Sequence, residues 1–325
     1  MTEINQKMKS FRLLIVLIAT LCLPLELFAE TWDEPWQKEV IKKADYFILA
    51  SVRSIDSAGA KVDVVKSFGG NSLHGTINIS GFYMLDLKSS SGRGLHFPLE
   101  EPKSYYLFLK KGEGGSYSLP TPTSGYAPLE EGKVMATYRH SYHQALVSQE
   151  IYEDTYTEIW SYFKSKKFDR SKVSNFIEVY LSQEPAGFDE EEIETFFLQH
   201  VALETAFLLD MNMELGTLKK FIETDNFHSR VSALQLLRND NSVAVAEYLF
   251  NFISDKKNGN FEKVIAIRSL WEVGGEAYQK KLMAMQRKLS DEETGFGGNI
   301  MDPRVATSFP SPRQAVLELS KSKIV

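Results

Sequence analysis

The chain has 325 residues, 43% of them hydrophobic and 25% charged, which is too apolar for a disordered chain and too poor in glycine and proline for a fibrous one. Its formal charge of −6 and pI near 5.7 argue against a general nucleic-acid binder, which needs a basic surface to displace phosphate counterions. The single cysteine excludes a disulfide framework.

The first segment in chain order reads as an export signal. Lys7, Lys9 and Arg12 form a positive start, residues 11–23 are apolar except for Arg12 and Thr20, and Leu27-Phe28-Ala29 ends on a small side chain before Glu30. The pattern predicts a secretory signal peptide over residues 1–29, cut between Ala29 and Glu30. The apolar run is about 13 residues against the ~20 of a spanning helix, which favours cleavage over anchoring. Cys22 leaves with the leader, and no later run is long enough to cross a bilayer. The expected product is soluble, exported, and periplasmic or extracellular, without a transmembrane segment after cleavage.

Residues 30–143 have the grammar of a small β-barrel domain. A short helix is expected at 36–43, as a plug or a cover, and strands at 46–52, 61–64, 75–79, 82–85, 105–109 and 133–138, separated by Gly, Ser and Pro clusters. The segment 112–132 carries Gly114-Gly115 and Pro120, Pro122 and Pro128, which predicts an exposed loop on which Tyr117 and Tyr126 are natural anchors.

Residues 144–325 are expected to be helical. Apolar positions recur at helical spacing around Ile151, Ile159, Trp160 and Phe163 and again from Val173 to Leu181, and Asp189 to Glu192 place carboxylates in the first turn of a third helix. Arg230-Val231-Ser232-Ala233-Leu234-Gln235-Leu236-Leu237 superposes on Val264-Ile265-Ala266-Ile267-Arg268-Ser269-Leu270-Trp271 with a shift of 34. Residues 201–209 read as a degenerate earlier copy. The segment 291–312 is irregular, either a lid or a disordered excursion before a last helix.

Two resemblances follow from these residues. The strand pair over 44–55 and 61–68, ending in Gly69-Gly70, with 75–79 and Tyr105-Tyr106-Leu107-Phe108-Leu109, resembles the OB-like barrel of netrin-like and tissue-inhibitor-of-metalloproteinase modules. The mature chain lacks the N-terminal cysteine those inhibitors direct at a metal, so the resemblance implies a fold and not their mechanism. The helical repeat resembles HEAT-type repeats, with an irregular helical bundle as the alternative. The expected class is therefore α+β, an OB-like antiparallel barrel followed by a HEAT-like solenoid or bundle.

Phosphate-loop, zinc-helix, nucleophile-elbow and paired-cysteine motifs do not occur. Ser161 and Lys164 have the spacing of a serine-lysine pair but lie in an aromatic helical stripe, which reads as chance. The best constellation is Thr137-Tyr138-Arg139-His140-Ser141-Tyr142-His143-Gln144. At spacing three, His140 and His143 can share a helix face and bind zinc with a carboxylate such as Glu150, or the segment is a hinge where barrel meets helices. Zinc needs more ligands than this pair supplies, so neither metal nor cofactor is expected.

The sequence thus predicts a binding or scaffolding protein rather than an enzyme, with no catalytic residues. Its expected binding residues are Tyr117, Tyr126, Tyr138, His140, Tyr142 and His143, and its expected partner is a protein or an envelope polysaccharide, not nucleic acid. The alternative is a metal-dependent hydrolase centred on His140 and His143.

Overall fold

A computed structural model of the chain describes residues 32–33, 35–56, 59–80, 99–120, 125–296 and 305–322. The expected signal peptide, its Ala29–Glu30 junction and the strand expected at 82–85 lie outside the described residues. A short strand, β1 (Trp32–Asp33), and a helix, α1 (Gln37–Lys43), precede the strands β2 (Tyr46–Asp56), β3 (Gly59–Gly69), β4 (Gly75–Ile79), β5 (Ser104–Lys111) and β6 (Tyr117–Ser118). These five close into a barrel in the order β2-β3-β4-β6-β5 and back to β2, antiparallel except for the β4–β6 pair. The sheet then continues from β5 through β7 (Tyr126–Glu130), β8 (Lys133–His140) and β9 (His143–Ser148).

Period-two alternation sorts the apolar runs onto two cores. Tyr46, Ile48, Ala50 and Val52 fill the barrel interior with Tyr105, Leu107 and Leu109, while Phe47, Leu49, Tyr106 and Phe108 enter a second core shared with the helices. Strands buried on both faces have no polar face to show, which is why these stretches read as continuous hydrophobic runs. Phe47 stacks on Phe108 at 4.8 Å, and Trp160 lies 5.9 Å from Phe47. Gly69 makes room for that indole, because a Cβ there would lie 1.8 Å from Trp160 Nε1. Helix α1 resolves as a cover: it packs on β5 and β8, and Val40 and Ile41 join the outer core instead of the barrel interior.

The helical half comprises α2 (Gln149–Ser165), α3 (Arg170–Ser182), α4 (Ile193–Leu208), α5 (Leu215–Ile222), α6 (Phe227–Leu236), α7 (Val243–Ser254), α8 (Asn260–Val273), α9 (Gly275–Met285) and α10 (Pro312–Lys321). Ser148, Asp169, Asn226, Ser242 and Ser311 each cap a helix by accepting a backbone N–H. Helices pack as sequential pairs, α3 on α4, α5 on α6 and α7 on α8, while α4, α6, α8 and α10 stack consecutively. The two copies of the 34-residue repeat fall on α6 and α8, neighbours in that inner stack. No helix among the described residues is long and apolar enough to cross a membrane.

Four local expectations are corrected. Helix begins at Gln149 and not at Gln144, because His143, Ala145 and Val147 alternate inward as a strand requires. The expected loop at 112–132 contains β6 and β7, with Pro128 placed where β7 pairs with β5 alone, before β8 joins at Leu129; residues 121–124 lie outside the described residues. The acidic run at 189–192 precedes α4 as a turn instead of forming its first turn, and Glu192 accepts the Gly187 N–H at 2.7 Å. The irregular segment at 291–312 holds β10 (Thr294–Phe296) and β11 (Val305–Phe309), antiparallel to each other, and β11 runs parallel to β1.

Candidate functional site in the seam between barrel and helices

The end of β8 is enclosed on all sides: Ala136 to His140 are all buried, and Arg139 has a side chain with no exposed surface. A guanidinium in that position needs partners, and α4 and α6 supply them. Nη1 donates to Ser232 Oγ at 2.8 Å and to the His228 carbonyl at 3.1 Å, and it lies 3.5 Å from Glu204 Oε1. Nη2 lies 3.1 Å from His228 Nδ1, whereas Nε has no hydrogen-bond partner among the described residues. Ser232 donates to Glu204 at 2.6 Å, and Gln235 donates to the other carboxylate oxygen at 3.3 Å. Burial pushes the Glu204 carboxyl above its ordinary range, against the opposing pull of Arg139, Ser232 and Gln235.

Three histidines surround this network. His143 on β9 stacks on His228 of α6 at 3.9 Å with an interplanar angle of 18°, and meets His200 of α4 edge-on at 4.1 Å. Burial first, and then nearby positive charge, holds all three below the ordinary histidine range, with His228 lowered to about 3. They are neutral at physiological pH. Imidazole lone pairs lie in the ring plane, so two stacked rings cannot both direct one at a shared ion. Among the described residues no three His, Cys, Asp or Glu side chains are placed to hold a metal.

Ser232, His200 and Glu204 have the residue types of a hydrolytic triad but not its wiring. Glu204 bonds to the serine itself instead of orienting the histidine, and none of the three is more than 1% exposed. The Ser161 and Lys164 pair is likewise structural, since the Lys164 ammonium donates to the Lys42 carbonyl at 3.2 Å and to the Ala44 carbonyl, closing the end of α1.

Beside the Arg139 network lies a cavity of about 280 Å³. Lys38 of α1, Arg139 of β8, Arg238 after α6 and Arg268 of α8 line it, together with Glu204 and Glu272. The carboxylates are already engaged, Glu204 with Arg139 and Glu272 with Arg238 at 3.3 Å. Lys38 and Arg268 have neither an ion pair nor a side-chain hydrogen bond among the described residues; Arg268 lies 4.4 Å from the Phe309 ring centre. Burial, with Arg238 second, lowers the Lys38 ammonium below its usual range. Trp36, Phe207, Leu208, Ile265 and Leu319 supply apolar wall, and Tyr138, Gln235 and Ser269 supply polar atoms.

The residues expected from sequence separate into two groups. Tyr138, His140, Tyr142 and His143 gather in the seam: His140 packs 5.6 Å from Trp36 and 4.8 Å from Tyr142, and Tyr142 faces the Arg139 guanidinium at 5.2 Å. His140 and His143 do not share a helix face but pair across a hairpin turn, and their rings enter different surroundings. Tyr117 and Tyr126 stay on the barrel, against Tyr46 at 5.4 Å and Tyr105 at 6.1 Å. Sequence reasoning missed Lys38, Arg139, Glu204, Arg238 and Arg268. The available signal was a lone charge inside an apolar stretch, as in Val201-Ala202-Leu203-Glu204-Thr205-Ala206-Phe207 or Val264-Ile265-Ala266-Ile267-Arg268.

Neither a family model, nor a curated protein, nor a solved structure matches the chain. The functional reading therefore rests on the seam itself.

Proposed function

We propose that the protein is an exported binding protein whose ligand site is the cavity where α1 and β8, which extends the sheet of an OB-like barrel, meet a HEAT-like helical stack. The observation that supports this reading is that the cavity is composite. Strand β8 and helix α1 contribute Tyr138, Arg139 and Lys38, and helices α4 and α8 contribute Glu204 and Arg268. Clefts between packed units with few convergent polar groups are the usual location of small-molecule sites. A partner protein or polysaccharide on the outer helical surface is the broader form of the same reading. The hydrolase alternative gains no support from the placement of His140 and His143.

Native mass spectrometry of the mature protein, isolated from its extracytoplasmic fraction, tests the proposal. A small-molecule adduct is expected, and Leu319→Trp, which fills the cavity from the partly buried end of α10, should remove it. An adduct-free wild-type protein that turns over a small substrate would contradict the binding role.

A further inference from the structure

Resting on the binding-protein reading, we infer that the ligand of this cavity is a small organic anion, with a carboxylate or phosphate head group and a compact apolar body. The cavity wall carries four cations and two carboxylates, and each carboxylate is committed to one cation. Arg139 and Arg238 are thereby matched by close ion pairs, whereas Lys38, which feels Glu39 and Glu272, and Arg268, which feels Glu318, have no carboxylate at ion-pair distance among the described residues. A second, independent observation comes from Arg139: its buried Nε has no hydrogen-bond partner among the described residues.

Charge partly withdrawn from water without a close ion pair is costly, and an entering oxyanion would supply the direct contact that the half-buried Lys38 and Arg268 lack. The surplus enters from the N-terminal half: within residues 146–325 Arg238 and Arg268 are balanced by Glu204 and Glu272, and Lys38 and Arg139 add two positive charges. The excess of positive charge therefore arises only where α1 and β8 meet the helical half. Ligand size follows from the volume of about 280 Å³, at the small end for ligand pockets. The apolar body would lie against Trp36, Phe207 and Ile265.

Calorimetric titration of the full mature chain with phenyl phosphate, benzoate, inorganic phosphate, benzylamine and benzyl alcohol tests the assignment. Phenyl phosphate or benzoate should bind at one site per chain, and more tightly than inorganic phosphate, which has no apolar body. Lys38→Gln and Arg268→Gln should each weaken that binding by about tenfold or more. Lys38 is partly exposed on a short helix, so its variant keeps the test available if Arg268→Gln fails to fold.

Benzylamine or benzyl alcohol binding as tightly as the anions overturns the charge assignment and leaves a binding cavity standing. Inorganic phosphate binding as tightly as phenyl phosphate overturns the apolar body, and unaltered affinity in both variants overturns the site. If no probe binds, the anion assignment fails, while the binding role is judged separately by the native adduct.

Discussion

Arg139 is held by Ser232 and Glu204 side chains and by two atoms of His228, so a residue from the sheet is hydrogen-bonded to helices α4 and α6, with the Tyr142 ring facing its guanidinium. Removing one member of a buried ion pair leaves the other charge uncompensated, and Arg139→Ala should destabilise the protein by about 3–5 kcal/mol in denaturant unfolding. The double variant Arg139→Met with Glu204→Leu should cost clearly less, because it removes both charges; an equal or larger loss would show that the pair is not coupled. Gly69→Ala tests a different constraint. The added methyl meets the Trp160 indole, and a loss of about 1–3 kcal/mol is expected from overpacking. Of this scale, the sequence made the 137–144 segment legible but not its leading residue. Arg139 stands among tyrosines and histidines that look equally suited to a junction, and only the fold reveals which side chain meets Glu204.

The β8–β9 hairpin brings His143 against His200 and His228, and three neutral imidazoles packed together have a consequence for acid stability. The unfolded chain takes up a proton at each near the ordinary value of 6.5, whereas the folded chain holds these rings below it. Stability should therefore fall as pH drops through 6.5, by up to about 1.4 kcal/mol per pH unit for each histidine. Glu204 acts in the opposite sense: its raised pKa lets the folded state accept that proton first, which restores some stability as the pH nears the carboxylate range. Urea midpoints at pH 7.5 and 5.5 measure the balance, and His228→Gln should reduce the drop by about a third; identical wild-type midpoints would contradict the buried-neutral assignment. Most elements were readable from periodicity and caps. The helix assigned at Gln144 was not, because the short apolar alternation of β9 runs directly into the amphipathic pattern of α2. The cross-strand turn likewise separates His140 and His143 in a way that spacing along the chain does not disclose.

At the scale of the molecule, the aromatic face of β2 and β5 and the interiors of α2 through α10 belong to one continuous core. Barrel and helices should accordingly unfold together, with coincident transitions followed by strand-region and helix-region signals; two separated transitions would indicate independent halves. Composition foretold two grammars, and the structure joins them through a seam where the acidic helical half turns Arg238 and Arg268 toward α1 and β8. That seam could not be seen in the sequence because its members lie far apart along the chain, from Trp36 to Leu319. Hydrogen exchange of the protein with and without phenyl phosphate tests the composite site most directly. The account predicts that amides of β8 gain protection together with those of α4 and α8, and protection confined to one half, or no change in either, would contradict it.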